Sequence, residues 1–321
     1  MTQIETQSGV VPTECDGMRL DQAAAKMFPD FSRARLQSWI KSGALRVNGE
    51  PTNQRTKVAV GSVLELQVEL EPEVAWSGES LPLDILFEDE DILILNKPPG
   101  LVVHPGAGNP NGTLVNALLH HRPSLESLPR AGLVHRIDKE TSGLLVVAGS
   151  LRAHTSLVDQ LQHKTMHREY FAVVRGTMTG GGTVNAPIGR HPRQRTKMAV
   201  VPHGGKEAVT HYRVAERFRA HTAIDVQLET GRTHQIRVHM AHRNLPLLGD
   251  PVYGGRLQFP ADASEELKDA LRSFRRQALH ARRLTLVHPA DQEEMVFESP
   301  LASDLVELVA VLREDARGSR S

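Results

Sequence analysis

The stretch from Leu133 to Val147, LVHRIDKETSGLLVV, sets a polar island, His135 to Glu140 with Ile137 its one apolar residue, between two aliphatic runs. Short apolar runs of this kind read as buried strands. Arg136 and Asp138 therefore stand at the rim of an interior, where charge loses hydration and costs free energy unless it is paired. A carboxylate carried into a partly desolvated cleft has its pKa raised unless a cation offsets that loss. An active site needs such a carboxylate, held on a rigid frame in a dry cleft, and the two aliphatic runs are expected to be that frame.

Other candidates are weak when taken singly. Arg237 in THQIRVH reads alone as a helix-surface arginine, and Tyr170 in REYFAVV as a core tyrosine on a strand. The 16 histidines, His239 and His242 among them, invite a metal hypothesis. No HExxH accompanies them, and no cysteine or carboxylate stands nearby at ligand spacing, so no metal is expected. GAGNPNG (Gly106 to Gly112) lacks the Gly-Lys-Ser/Thr ending of a phosphate-cradling loop and reads as a turn-rich loop. The acids of Glu88 to Asp91 could suggest a glycosidase pair but read more simply as a solvated hairpin turn.

The positioning elements follow from pattern. Residues 1–17 read as a loose tail. MRLDQAAAKMF and SRARLQSWIKSG read as two short helices, the second capped by Ser32 and closed by Gly43. The strand ALRV, an Asn48-Gly49 turn and the alternating strand VLELQVEL complete a small module over residues 18–75. EPEVAWSGES (71–80) reads as a linker. Over 76–321, strands are expected at DILFE, DILILN, GLVV (100–103), GLLVVAG, YFAVVRG, AVTHYRVAERF, TAIDVQLET and RLTLVH. Helices are expected at TLVNALLHH, LRAHTSLVDQLQ, THQIRVHMAHR and DLVELVAVLRED. These do not alternate as βαβ units do, so the expected class is α+β, with a mixed, largely antiparallel sheet and flanking helices.

Composition sets outer limits. The 321 residues suffice for one large and one small domain, and Lys+Arg and Asp+Glu both count 38, a balance that does not advertise nucleic-acid binding. Charge is nonetheless segregated. Acid crowds Glu69 to Glu73 and Glu88 to Asp91, and base crowds Arg190 to Lys197 and Arg272 to Arg283. The single cysteine, Cys15, excludes an intramolecular disulfide and is expected to be an inert surface thiol. No apolar run approaches membrane-spanning length and the N-terminus has no signal-peptide pattern, so a soluble, cytoplasmic protein is expected.

The pattern RLD…SR…(W)I…G…VNG…G…L resembles the S4 RNA-binding domain. HRIDKETSG, REYFAVVRG and ETGRTHQIRVHMAHRNLPLLGDPVYGG, with LNKPPGLVVHPGAGNPNGTLVNALLHH and RQALHARRLTLVHP, strongly resemble the RluA family of pseudouridine synthases over nearly the whole chain. Ile137 stands where the family has leucine, a swap that conserves volume.

The resemblance implies that uracil is detached from its ribose at N1, turned over and rejoined through C5, with no cofactor. It implies Asp138 as the catalytic carboxylate, Arg237 as its ion-pair partner and Tyr170 packed against the base. It implies that Arg136 enters the space left when a uridine leaves its stack; guanidinium suits this because it stacks on bases and pairs with phosphates. His135, Thr141, Arg232, His234 and Gln235 are the further candidates for substrate contact. Arg33, Lys41, Arg46, Arg55 and Lys57 of the small module, with Arg193, Arg195 and Lys197, are candidates for RNA backbone contact. The implied partner is 23S ribosomal RNA, the helix 69 loop first, or the large subunit itself. Alternatives are another ribosomal or transfer RNA site, a non-catalytic S4 RNA-binding or assembly protein with a decayed enzyme domain, and a hydrolytic glycosidase. A decayed domain should lack at least one of Asp138, Tyr170 and Arg237; all three are present.

Overall fold

Residue 75 ends one structural unit and residue 76 begins another. The computed structural model describes residues 3–28, 33–70, 76–106, 108–194 and 196–318. Ser32, Arg195 and residues 71–75 of the expected linker lie outside the described residues.

In the first unit, β1 (Gln3–Val10) is followed by α1 (Leu20–Met27), α2 (Arg33–Ser42), β2 (Leu45–Val47), β3 (Glu50–Pro51) and β4 (Val63–Leu70). The sheet order is β1-β4-β2-β3. Residues 3–10, expected as part of a tail, instead pair antiparallel with β4 along its whole length. Their alternation is mostly polar, and the partner strand supplies the backbone hydrogen bonds that a tail would take from water. Cys15 is a correction of the same kind: it is fully buried with Leu20, Leu36, Leu45 and Leu66 in this unit's core. The Asn48-Gly49 turn has φ of 51° and 79°, the positive pair that a tight two-residue hairpin requires.

The second unit contains β5 (Ile85–Glu88), β6 (Ile92–Lys97), α3 (Leu114–His121), β7 (Ser142–Ala148), α4 (Leu151–Gln162) and β8 (His167–Arg175). It continues through β9 (Gly182–Asn185), β10 (Ile188–Arg190), β11 (Met198–Val200), β12 (Val209–Arg217) and β13 (His221–Leu228). After these come α5 (Gln235–His242), α6 (Glu265–Ser273), β14 (Leu279–Val287), β15 (Glu294–Glu298) and α7 (Ser303–Gly318).

Among the described residues nine strands join one sheet, in the order β5-β6-β7-β14-β8-β13-β12-β9, with β15 paired to β14. Every pairing is antiparallel except β7 with β14, where Ser142 meets His280 and Gly143 meets Ala281. Gly143 is obligatory there: at φ +106°, a Cβ would overlap the Ala281 carbonyl oxygen.

Central strands are apolar on both faces, as β7 shows with all seven residues buried. On β8 the alternation divides two cores. Tyr170, Ala172 and Val174 join the core that includes α3 and α4, while Phe171 and Val173 face α6 and α7. The period of two thus puts Arg168 and Tyr170 on one face of β8. Side-chain caps start the helices beside the sheet: Thr113 and Asn116 form a capping box on α3, and Ser150 accepts from Ala153 N at α4.

Two expected strands are absent. Residues 100–103 are irregular backbone, and Leu133–Val134 makes only an isolated bridge, Leu133 to Val147. Both runs are apolar because they cover the core, where Val103 and Leu133 are buried. The frame of the polar island is therefore β7 on one side and α5 with β8 on the other.

Candidate active site

The island HRIDKE is a loop leading into β7, held from below by Lys97. Its ammonium, 1% exposed, donates to the carbonyls of Pro98 (2.7 Å), Leu101 (2.9 Å) and Lys139 (2.9 Å). Burial pulls Lys97 down to about 7. The Glu140 and Asp138 carboxylates act in the other direction, and the three carbonyls match the three N–H donors of the ammonium. Gly100 N also donates to Lys139 O, so the residue after Asp138 is fixed twice.

Arg237 on α5 and Asp138 are 99 positions apart in sequence, and Arg237 Nη1 donates to Asp138 Oδ2 at 3.0 Å. The other edge of the same guanidinium is bidentate with Asp250, Nε to Oδ2 at 2.7 Å and Nη2 to Oδ1 at 2.9 Å. Asp250 is fully buried and its Oδ1 also accepts from Val252 N and Tyr253 N. Burial disfavours the Arg237 charge, but Asp250 and then Asp138 outweigh it and hold the guanidinium above its ordinary value. Burial would raise the Asp250 carboxyl, yet Arg237 outweighs this and lowers it. Asp138 keeps 17% exposure, so one end of a buried charge chain opens to solvent.

His234, in a left-handed conformation (φ 57°) just before α5, places Nε2 3.9 Å from Asp138 Oδ1. Its Nδ1 lies 2.8 Å from the Tyr253 hydroxyl, which accepts from Met198 N. Burial lowers the His234 pKa and outweighs the opposing pull of Asp138. A neutral imidazole that receives the Tyr253 hydroxyl proton on Nδ1 carries its own proton on Nε2, the nitrogen facing Asp138.

Asp138, Thr141, Tyr170, Arg232, His234 and Arg237 line one small cavity of about 70 Å³, together with Arg136. Tyr170 is 6% exposed, and burial raises its pKa, which makes the phenol a poor acid and a good packing surface. Arg136 is exposed and also lines the neighbouring cleft of about 900 Å³.

Several candidates have other duties. Gln235 takes Thr230 Oγ1 and Arg232 N on its carbonyl and gives to Val209 O and Thr210 Oγ1, so none of its hydrogen-bonding capacity is left for a substrate. It shapes the turn before α5. Thr141 is 1% exposed and accepts from Gln277. His135 turns inward, its Nε2 accepting from Val146 N at 3.3 Å. His239 is a packing histidine bound to Thr210 and the Ala186 carbonyl. Lys197 donates to Val252 O and so braces the Asp250 turn, while Arg193 is exposed. Lys41, Arg46, Arg55 and Lys57 are exposed on the first unit; the Arg33 side chain and Arg195 lie outside the described residues.

Asp250, which accepts two hydrogen bonds from Arg237, has no signal of that contact in the sequence. GDPVYGG looks like a turn, and it is one; the turn's carboxylate also orients Arg237.

Residues 91–242 match the RNA pseudouridylate synthase family and residues 18–64 the S4 domain. Ribosomal large subunit pseudouridine synthase D of Pseudomonas aeruginosa is 55% identical over 98% of this chain and 98% of its own length. The protein of that name from Escherichia coli K12 is 55% identical over 93% of this chain and 92% of its own. Among solved structures, human RNA pseudouridylate synthase domain containing 4 is 28% identical, with a TM-score of 0.56 over 72% of this chain and 93% of that one.

Proposed function

We propose, from the premise that this chain belongs to the RNA pseudouridylate synthase family, that it converts specific uridines of large-subunit (23S) ribosomal RNA to pseudouridine. The loop of helix 69 is the target region this reading favours. The observation that carries it is the chain Asp250–Arg237–Asp138, which aims one carboxylate into a cavity that Arg136 can reach from outside.

The isomerisation breaks N1–C1′ and forms C5–C1′. N1 gains a proton, and the proton on C5 leaves to solvent, so atoms and charge balance without a redox or nucleotide cofactor. Asp138 acts beside the glycosidic bond, as nucleophile or base. Arg237 fixes its direction and supplies the opposing charge. Tyr170 packs on the uracil, and Arg136 occupies the stack that the uridine vacates, which offsets an unstacking cost of roughly a few kcal/mol. Exposed Lys41, Arg46, Arg55 and Lys57 contribute backbone contacts, which position the RNA rather than read its sequence. The reading carries with it a cytoplasmic location. No described helix is long and apolar enough to cross a membrane.

Large-subunit RNA made with uridine tritiated at C5 tests this directly. Wild type should release tritium to water and Asp138→Asn should not, while both bind the RNA. Absence of release from free RNA and from immature subunits alike would leave a binding protein as the better account. Mapping the modified positions decides among helix 69, another ribosomal site and transfer RNA.

A further inference from the structure

Arg168 has no part in the mechanism above, yet its burial needs a reason. It is 7% exposed on β8, two residues before Tyr170 and on the same face. Among the described residues no carboxylate or carbonyl accepts from its guanidinium, and Nε is a buried donor with no partner. An unpaired interior cation is costly, and proteins retain one only where something else compensates it. Arg237, which lines the same small cavity, has two carboxylates. Arg168 has none.

Its location says what is missing. Arg168 lies in the wall shared by the Asp138 cavity and the adjoining 900 Å³ cleft, with Arg136 and Arg232. Gly231 makes room for it, since a Cβ there would come within 2.7 Å of Nη1. A second unsatisfied donor adjoins the cleft. His135 uses Nε2 to accept from Val146 N, so its proton is on Nδ1, and that buried atom has no partner either. The cleft's acids are already engaged: Lys164 pairs with Glu229 at 2.7 Å and with Glu207 at 3.6 Å. Arg168, Arg136, Arg130 and Arg232 leave the cleft net positive.

Uracil and ribose are neutral, so the only anions an RNA substrate brings to this wall are its phosphodiesters. A guanidinium fork fits phosphate oxygens two at a time. We propose that Arg168 receives a phosphodiester flanking the target uridine, with the His135 Nδ1–H as a neighbouring donor. The nucleotide is thereby anchored by its backbone at the cavity mouth while Asp138 acts on the sugar–base bond. This assignment rests on the synthase reading.

The test uses a large-subunit RNA stem-loop that the full-length wild-type protein modifies, with the phosphate on each side of the target uridine replaced in turn by a neutral methylphosphonate. Wild type should lose about 10- to 100-fold in affinity at one of the two linkages, the range of a hydrogen-bonded charge contact. Arg168→Gln should bind the normal RNA weaker by a similar factor and lose nothing further at that linkage. Arg168→Lys, which keeps the charge but not the fork, should fall between them. The loss should appear in KM more than in kcat, which a merely structural residue would not produce. Independent losses in wild type and Arg168→Gln would overturn the assignment. So would a wild type indifferent to both linkages, a measurement that needs no variant to fold. Failure of the synthase reading looks different: wild type then releases no tritium from any large-subunit RNA, and the assignment falls with it.

Discussion

Arg237 reaches Asp138 with the guanidinium nitrogen that Asp250 leaves free. Asp250 takes Nε and Nη2, and Asp138 takes Nη1. The bidentate contact fixes the plane of the guanidinium, so the third contact has a fixed direction. Asp138 is thereby oriented by a turn 112 positions later in the chain, through the Arg237 guanidinium.

Asp250→Asn tests that relay. An asparagine keeps the shape but cannot accept both forks, and it leaves Arg237 buried with one carboxylate. Loss of one partner from a buried pair costs about 3–5 kcal/mol, so the denaturation midpoint should fall. At temperatures where the variant is folded, kcat should drop about a hundredfold, the scale of a small misplacement, with RNA affinity near wild type. Turnover equal to wild type would show that Asp138 needs no such orientation.

Arg136→Ala should act on the flipping step alone. Activity on a structured loop should fall by about a hundredfold, in keeping with an unstacking cost of a few kcal/mol. Placing the same uridine opposite an abasic site should restore much of it, since the base is then already loosely stacked. A variant equally impaired on both RNAs would assign Arg136 to binding instead.

Acid should weaken the fold through two histidines. His221 and His280 are 2% and 1% exposed, and burial lowers each from 6.5 to about 4. Between those values the unfolded chain binds protons that the native one refuses, so stability is complete above pH 6.5 and lost as pH falls toward 4. Each contributes a slope of about 1.4 kcal/mol per pH unit, or about 2 kcal/mol between pH 7 and pH 5. Urea unfolding at these two pH values should show it, and His280→Gln should reduce the acid-induced loss by about that amount. An unchanged loss in the variant would mean that His280 titrates normally.

Deleting residues 1–75 should leave the nine-stranded unit folded and able to release tritium, with weaker RNA binding. Each exposed cation that contacts a phosphate adds about 0.7–0.9 to the slope of log affinity on log salt, so the slope should flatten as Lys41, Arg46, Arg55 and Lys57 are lost. A truncated protein that does not fold would mean that the boundary at residue 75 is not a domain boundary.

Pattern alone located the strongly periodic elements. α4 spans the expected 151–162, and β6 and β7 follow their apolar runs, because central strands and amphipathic helices write their burial into consecutive residues. Family resemblance picked out Asp138 and Arg237, and the structure brings them together. Three things had no local signature. Leu133–Val134 and residues 100–103 are apolar because they cover the core, and nothing in four residues distinguishes a cover from a strand. β1 is a strand only because β4 is beside it. Asp250 and Arg168 look like a turn acid and a strand-end base; their meaning lies in what each touches, or fails to touch, across the fold.

The parallel junction between β7 and β14 has a consequence for the newly made chain. The strand that follows the Asp138 loop is flanked by β6, complete by residue 97, and by β14, which ends at residue 287 of 321. Until β14 is synthesised, β7 and β8 each have an open edge where their shared neighbour belongs. The sheet cannot close vectorially, segment by segment, as a chain of hairpins would. Activity should therefore switch on late and abruptly, only after β14 is made.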